Sequence, residues 1–161
     1  MNFDYSPELL AYLANLDAFT KADILPIQEE NIQFFDHRRE PSRTQWDSQG
    51  LPTPEWEELL ARAHKIADKS GFYRFALPKE YGGLEHEDTN LWMCAIRFHL
   101  ASNPLYGGGV SLANDLQTEH SVVGNFPDFL MLYHWGSAAQ KNEYIRARLR
   151  GDFRECCDLS E

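Results

Sequence analysis

Apolar residues recur at helical spacing along most of the chain. Ser6 and Pro7 form a good N-cap and first-turn pair, and an apolar series with steps of four and three residues follows them. That series is Leu9, Leu13 and Leu16. Pro26 should bend or end this helix, and residues 27–35 could continue it.

The clearest prediction is a second helix that begins after Thr53. Thr53 is a good N-cap, Pro54 suits the first turn, and Gly71 is a typical stop signal. Its apolar stripe consists of Trp56, Leu59, Leu60, Ala63, Ile66 and Ala67. Residues 36–52, which precede it, are polar and contain Pro41 and Gly50, so we expect an exposed loop.

The second half of the chain predicts further helices. One spans about residues 89–101, a weaker one about 111–123, a short apolar one 127–134, and the last begins at a capping box formed by Ser137 and Gln140. The inward residues of the first of these should be Leu91, Trp92, Ala95, Ile96 and Leu100. Residues 153–160 favour extended chain. The fold class is therefore all-α, a helical bundle of about five to six helices with the start of a strand at its C-terminus.

Composition excludes several function classes. The 161 residues include 25 Asp plus Glu against 15 Lys plus Arg, a formal net charge of −10, which argues against a nucleic-acid partner. No apolar run approaches the roughly 18 residues of a membrane span, and the acidic start MNFDYSPELL does not resemble a secretory signal.

The three cysteines, Cys94, Cys156 and Cys157, match neither a disulfide framework nor a zinc knuckle, so we expect reduced thiols and an intracellular location.

Four short patterns carry possible chemistry. Gly107-Gly108-Gly109 lacks the lysine and spacing of a phosphate loop, and Glu85–Asp88 is better explained as acids before a helix than as a metal site. His120, next to Glu119, could line a cavity but is more typical of helix scaffolding. The basic residues Arg38, Arg39 and Arg43 could dock an anion or simply be solvated. None of these patterns predicts a catalytic or metal-binding residue.

Two longer stretches are more specific. The first is Gly71-Phe72-Tyr73-Arg74-Phe75-Ala76-Leu77-Pro78-Lys79-Glu80-Tyr81-Gly82-Gly83, and the second runs from Trp135-Gly136-Ser137-Ala138-Ala139-Gln140-Lys141 to Cys157-Asp158-Leu159-Ser160-Glu161. Together they resemble the acyl-CoA dehydrogenase family, whose N-terminal helical domain carries a Leu/Ile-Pro-x-x-Tyr-Gly-Gly turn and later Gly-Ser/Thr-x-x-Gln-Lys before Leu-Ser/Thr-Glu-Pro. The resemblance covers nearly the whole chain.

The resemblance implies an FAD enzyme that dehydrogenates acyl-CoA thioesters between the α and β carbons. In the family a carboxylate removes the α proton while hydride leaves the β carbon for the flavin. The implied partners are the acyl-CoA substrate, an electron acceptor and further copies in a homo-oligomer. Cytoplasm, mitochondrion and peroxisome are not distinguished.

The resemblance also divides the chain. Residues 1–151 match the N-terminal α domain, and residues 152–161 match the first residues of the flavin-binding β domain. Cys157, Leu159 and Ser160 take the places of the strand along the flavin, with Ser160 the best single candidate. No residue matches the family's catalytic base, so we expect the isolated chain to be inactive and not to retain FAD. The helices near 91–101 and 110–123 resemble those that line the acyl-chain tunnel.

Two alternatives remain open. The chain could be a helical interaction module without catalysis. It could also belong to a flavin oxidase of the same fold, of the acyl-CoA oxidase or nitroalkane oxidase type.

Overall fold

The computed structural model describes residues 4–48, 50–103, 111–114, 122–124 and 126–150. They fall into two compact units, Met1–Asn125 and Phe126–Glu161. The described part is mostly helical, with one small antiparallel hairpin, which confirms the all-α prediction. The predicted C-terminal strand and the boundary at residue 151 lie outside the described residues, so both stay predictions.

The first unit contains five α-helices and two short strands among its described residues. They are α1 Pro7–Phe19, α2 Leu25–Glu30, α3 Arg39–Arg43, β1 Thr44–Gln45, β2 Leu51–Pro52, α4 Pro54–Ser70 and α5 Thr89–Ser102, with 3₁₀ turns at Ile32–Phe34 and Lys79–Tyr81. The second unit contains α6 Pro127–Trp135, α7 Ala138–Gln140 and α8 Arg146–Arg150.

Helix α1 starts as the sequence predicts. The Ser6 hydroxyl accepts a hydrogen bond from the Leu9 backbone N–H at 3.2 Å, and Leu9, Leu13 and Leu16 are buried. Helical structure continues past Pro26, as one of the two predicted outcomes had it, and α2 ends at Glu30. A π-helical segment, Thr20–Ile24, joins α1 to α2, and Pro26 lies in the first turn of α2, where a missing N–H is tolerated.

Residues 36–52 are more ordered than the predicted loop. They contain α3 and the hairpin, in which Thr44 pairs with Pro52 and Gln45 with Leu51. Thr53 fixes the end of this segment because its hydroxyl donates to the Ser42 carbonyl at 2.7 Å. The periodicity of the sequence missed these elements because each is only two to five residues long.

Helix α4 follows the predicted pattern. Thr53 caps its N-terminus, and Gly71, with φ of +88°, ends it in the left-handed conformation. Trp56, Leu59, Leu60, Ala63 and Ala67 are buried, whereas Ile66 is only partly buried.

An aromatic cluster joins α1, the passage after α4, and α5. The Tyr12 ring centroid lies 5.4 Å from those of Phe72 and Phe75 and 5.7 Å from that of Trp92. Phe75 also stacks with Trp92 at 6.2 Å. Burial in this cluster raises the pKa of the Tyr12 hydroxyl. The contacts of Tyr12 link it to residues 60 to 80 positions later in the sequence and so fix the relative placement of α1 and α5.

In the second unit, local signals again set the helix ends. The Ser137 hydroxyl accepts from the Gln140 N–H at 3.3 Å, and the Gln140 side chain accepts from the Ser137 N–H at 2.9 Å, which confirms the capping box. Gly136 ends α6 where a Cβ atom would lie 2.5 Å from the Leu132 carbonyl oxygen. A π-helical segment, Lys141–Ile145, then joins α7 to α8.

Candidate functional site

Helix α5 carries apolar side chains on two faces. Its inward face buries Trp92, Met93, Ala95, Ile96 and Leu100. Leu91 and Phe98 are 64% and 66% exposed, and Cys94 between them is exposed as well. Steps of three and four residues place these three side chains on one line of the helix, which we call the α5 stripe.

The α5 stripe corrects one prediction and adds residues that the sequence did not single out. Leu91 was predicted to face inward, and this was wrong. A helix that is apolar on opposite faces gives no single stripe, so periodicity alone could not choose between them. The spacing of Leu91, Cys94 and Phe98 was the available signal.

The exposed residues of α5 are free of charge. They are Asn90, Leu91, Cys94, Phe98, Ala101 and Ser102. Helix α4, by contrast, exposes Glu55, Glu58, Arg62, Lys65 and Lys69. In a chain in which 25% of the residues are charged, an uncharged exposed face indicates a surface suited to apolar contacts.

Polar contacts fix the last two turns of α5. The His99 Nε2 atom lies 2.8 Å from Oδ1 of Asp17 on α1, and the Asn103 side chain donates to the same oxygen at 3.4 Å.

Arg97, also on α5, donates to the Val123 carbonyl at 2.8 Å and to Oδ1 of Asn114 at 3.2 Å. Burial lowers the pKa of the Arg97 guanidinium, yet these two acceptors hold it in place.

The helix predicted at about residues 111–123 is not formed at its described ends. Residues 115–121 lie outside the described residues, and the tunnel-lining role stays a prediction. Residues 111–114 and 122–124 form turns and bends, and Ser111, Leu112, Ala113, Val122 and Val123 are buried. Their backbone groups bond to other parts of the unit. Leu112 N–H donates to Oε1 of Gln28 at 2.7 Å, Gly124 N–H to the Tyr73 carbonyl at 3.0 Å, and Val122 N–H to the Ala113 carbonyl at 3.2 Å.

The Leu-Pro-x-x-Tyr-Gly-Gly motif is a closed turn. Gly82 has a φ of +86°, and the Gly83 N–H donates to the Pro78 carbonyl at 3.1 Å. At Gly83 a Cβ atom would lie only 1.7 Å from the Leu77 carbonyl oxygen, so the backbone passes too closely for any side chain.

Arg74 fastens this turn to α4. Its guanidinium forms a forked ion pair with Asp68, donating to Oδ2 at 2.9 Å, and also donates to the Tyr81 carbonyl at 3.0 Å. The hydrogen bonds to Asp68 raise the pKa of Arg74. The motif is therefore a rigid connection that sets where α5 begins.

The acidic run before α5 is engaged in local contacts. His86 Nδ1 accepts from the Asp88 N–H at 3.0 Å, and its ring packs on Trp92 at 4.1 Å. Within residues 4–48, 50–103 and the other described segments, no three His, Cys, Asp or Glu side chains converge as metal ligands. In the same part of the chain, no helix is long and apolar enough to cross a membrane.

The basic residues of the 36–52 segment have local partners. The Arg38 side chain pairs with Asp36, and Arg39 Nε lies 3.6 Å from Oε1 of Glu40. Arg43 donates to the Phe34 carbonyl at 2.7 Å, and its guanidinium lies over the Trp56 ring at 4.1 Å. These contacts favour a structural interpretation over anion docking.

Arg38 should control the titration of Asp36. Hydrogen bonds from its side chain and backbone lower the pKa of Asp36 from 3.8 to about 2. Because the folded-state pKa is lowered, the pair stabilises the fold above about pH 4 and loses that effect as the pH falls through 2. We expect Arg38→Ala to return the Asp36 midpoint, followed by NMR, toward 3.8. Arg39→Ala is the control and should leave the midpoint near 2, and an unchanged midpoint in Arg38→Ala would contradict the assignment.

The residues predicted to contact the flavin, Cys157, Leu159 and Ser160, lie outside the described residues. So do Gly107–Gly109, Glu119 and His120. These interpretations therefore stay predictions, and the α5 stripe is the candidate site that the described residues provide.

Comparison with known proteins identifies the chain's family. The family model described as acyl-CoA dehydrogenase, N-terminal domain, matches residues 21–152, which are 132 of the 161 residues. No curated protein and no solved structure gives a significant match. The matched region includes α4, α5, the Leu-Pro-x-x-Tyr-Gly-Gly turn and the Gly-Ser-x-x-Gln-Lys motif, and it ends before Cys157, Leu159 and Ser160. The chain therefore belongs to the acyl-CoA dehydrogenase N-terminal domain family.

Proposed function

We propose that this protein takes part in the FAD-dependent α,β-dehydrogenation of acyl-CoA thioesters, and that the α5 stripe forms part of the surface against which the acyl chain packs. Family membership supports the reaction class. The proposed site rests on one observation, the uncharged and exposed line of Leu91, Cys94 and Phe98.

The chemistry of the α5 stripe suits a fatty acyl chain. Burying one methylene group against an apolar surface contributes about 0.8 kcal/mol, so a longer chain gains affinity from each contact. An acyl chain has no polar groups beyond its thioester. When it packs on a surface without charges, no charged group has to lose its hydration. The contacts of His99 and Arg97 hold the helix that presents this line.

The reaction needs groups beyond those of the described residues. An α proton is too weakly acidic for a carboxylate to remove unless fixed hydrogen bonds stabilise the enolate oxygen in a site without water. We assign no base among the described residues, because none matches the family's motif for it. We propose that Cys157, Leu159 and Ser160 contact the flavin, which supplies the hydride acceptor when bound.

Acyl-CoA binding tests the proposed role of the α5 stripe. We expect the 161-residue chain, titrated in a calorimeter, to bind long-chain acyl-CoA more tightly than CoA alone. Phe98→Asp should weaken acyl-CoA binding by about tenfold, since a carboxylate next to the acyl chain would lose its hydration. Binding of CoA alone should not change.

Met131 provides the matched control. It is 65% exposed on α6, almost the same as Phe98, so Met131→Asp introduces the same charge elsewhere. Equal losses in the two variants, or equal affinity for CoA and acyl-CoA in the unmodified chain, would contradict the proposed site.

Flavin retention tests whether the proposed contacts are enough to hold the cofactor. We expect the 161-residue chain, purified with added FAD, to lack stoichiometric flavin absorbance, because Cys157, Leu159 and Ser160 alone offer few contacts to the cofactor. A preparation with one FAD per chain would contradict this expectation. Ser160→Ala would then show whether Ser160 contacts the flavin, through a shift in the flavin spectrum.

A further inference from the structure

We draw no further inference here: the strongest candidate, the exposed apolar face of α6 that carries Met131 and Trp135, is a surface patch for which nothing in the structure shows what covers it.

Discussion

Replacing Gly83 with alanine should unfold or severely destabilise the first unit, at a cost of about 3 kcal/mol or more. The added Cβ would lie 1.7 Å from the carbonyl oxygen and 2.2 Å from the carbonyl carbon of Leu77. Leu77 cannot move aside easily, because its side chain is fully buried and its N–H donates to the Arg74 carbonyl at 2.9 Å. Urea denaturation followed by circular dichroism measures the loss.

Gly71→Ala is the control for this experiment. Gly71 also has a positive φ, +88°, but no atom apart from those of Gly71 and its two chain neighbours lies within 4 Å of the position that a Cβ would take. The stability of this variant should fall by only about 1–2 kcal/mol, which is the cost of placing alanine in the left-handed conformation. A Gly83→Ala protein as stable as Gly71→Ala would show that the turn can open and that the close approach to Leu77 does not constrain it.

Phe75→Ala should cost about 3–5 kcal/mol, in the range of large-to-small substitutions of buried aromatic residues. Phe75 is 1% exposed and lies between Tyr12 of α1 and Trp92 of α5. Removing its ring leaves a cavity where the two helices meet the passage after α4. The free energy of unfolding, again from urea denaturation, should fall accordingly.

Phe98→Ala makes the same chemical change on the exposed side of α5. Because the Phe98 side chain is mostly exposed to water, the free energy of unfolding of this variant should stay within about 0.5 kcal/mol of that of the unmodified chain. If both variants lost the same stability, Phe98 would belong to the core and the α5 stripe would not be an available surface.

Local sequence signals predicted the helix ends well. Ser6, Thr53 and Ser137 all cap helices as expected, because each cap depends on side-chain and backbone groups only three residues apart. The two π-helical segments were not anticipated. Their wider turns depend on a different pattern of backbone hydrogen bonds, which the spacing of apolar residues does not predict.

Predictions failed where distant residues decide the structure. Residues 111–114 have a helical pattern, yet Gln28 and Arg97 supply partners that hold them as turns. Leu91 is apolar like its buried neighbours, but the packing of Tyr12 and Phe75 on Trp92 determines which face of α5 turns inward. The motifs identified the family, whereas the exposed line on α5 follows from tertiary packing that the sequence pattern does not show.

The hydrogen bond from Val122 to Ala113 has an evolutionary consequence. It joins Ala113 to Val122 across the intervening residues, so a change in the number of residues between these two positions can leave both anchored residues in place. Homologues could thus diversify in length at this point while retaining one scaffold. Comparing the number of residues between these two positions across sequenced relatives should reveal more variation there than in α4.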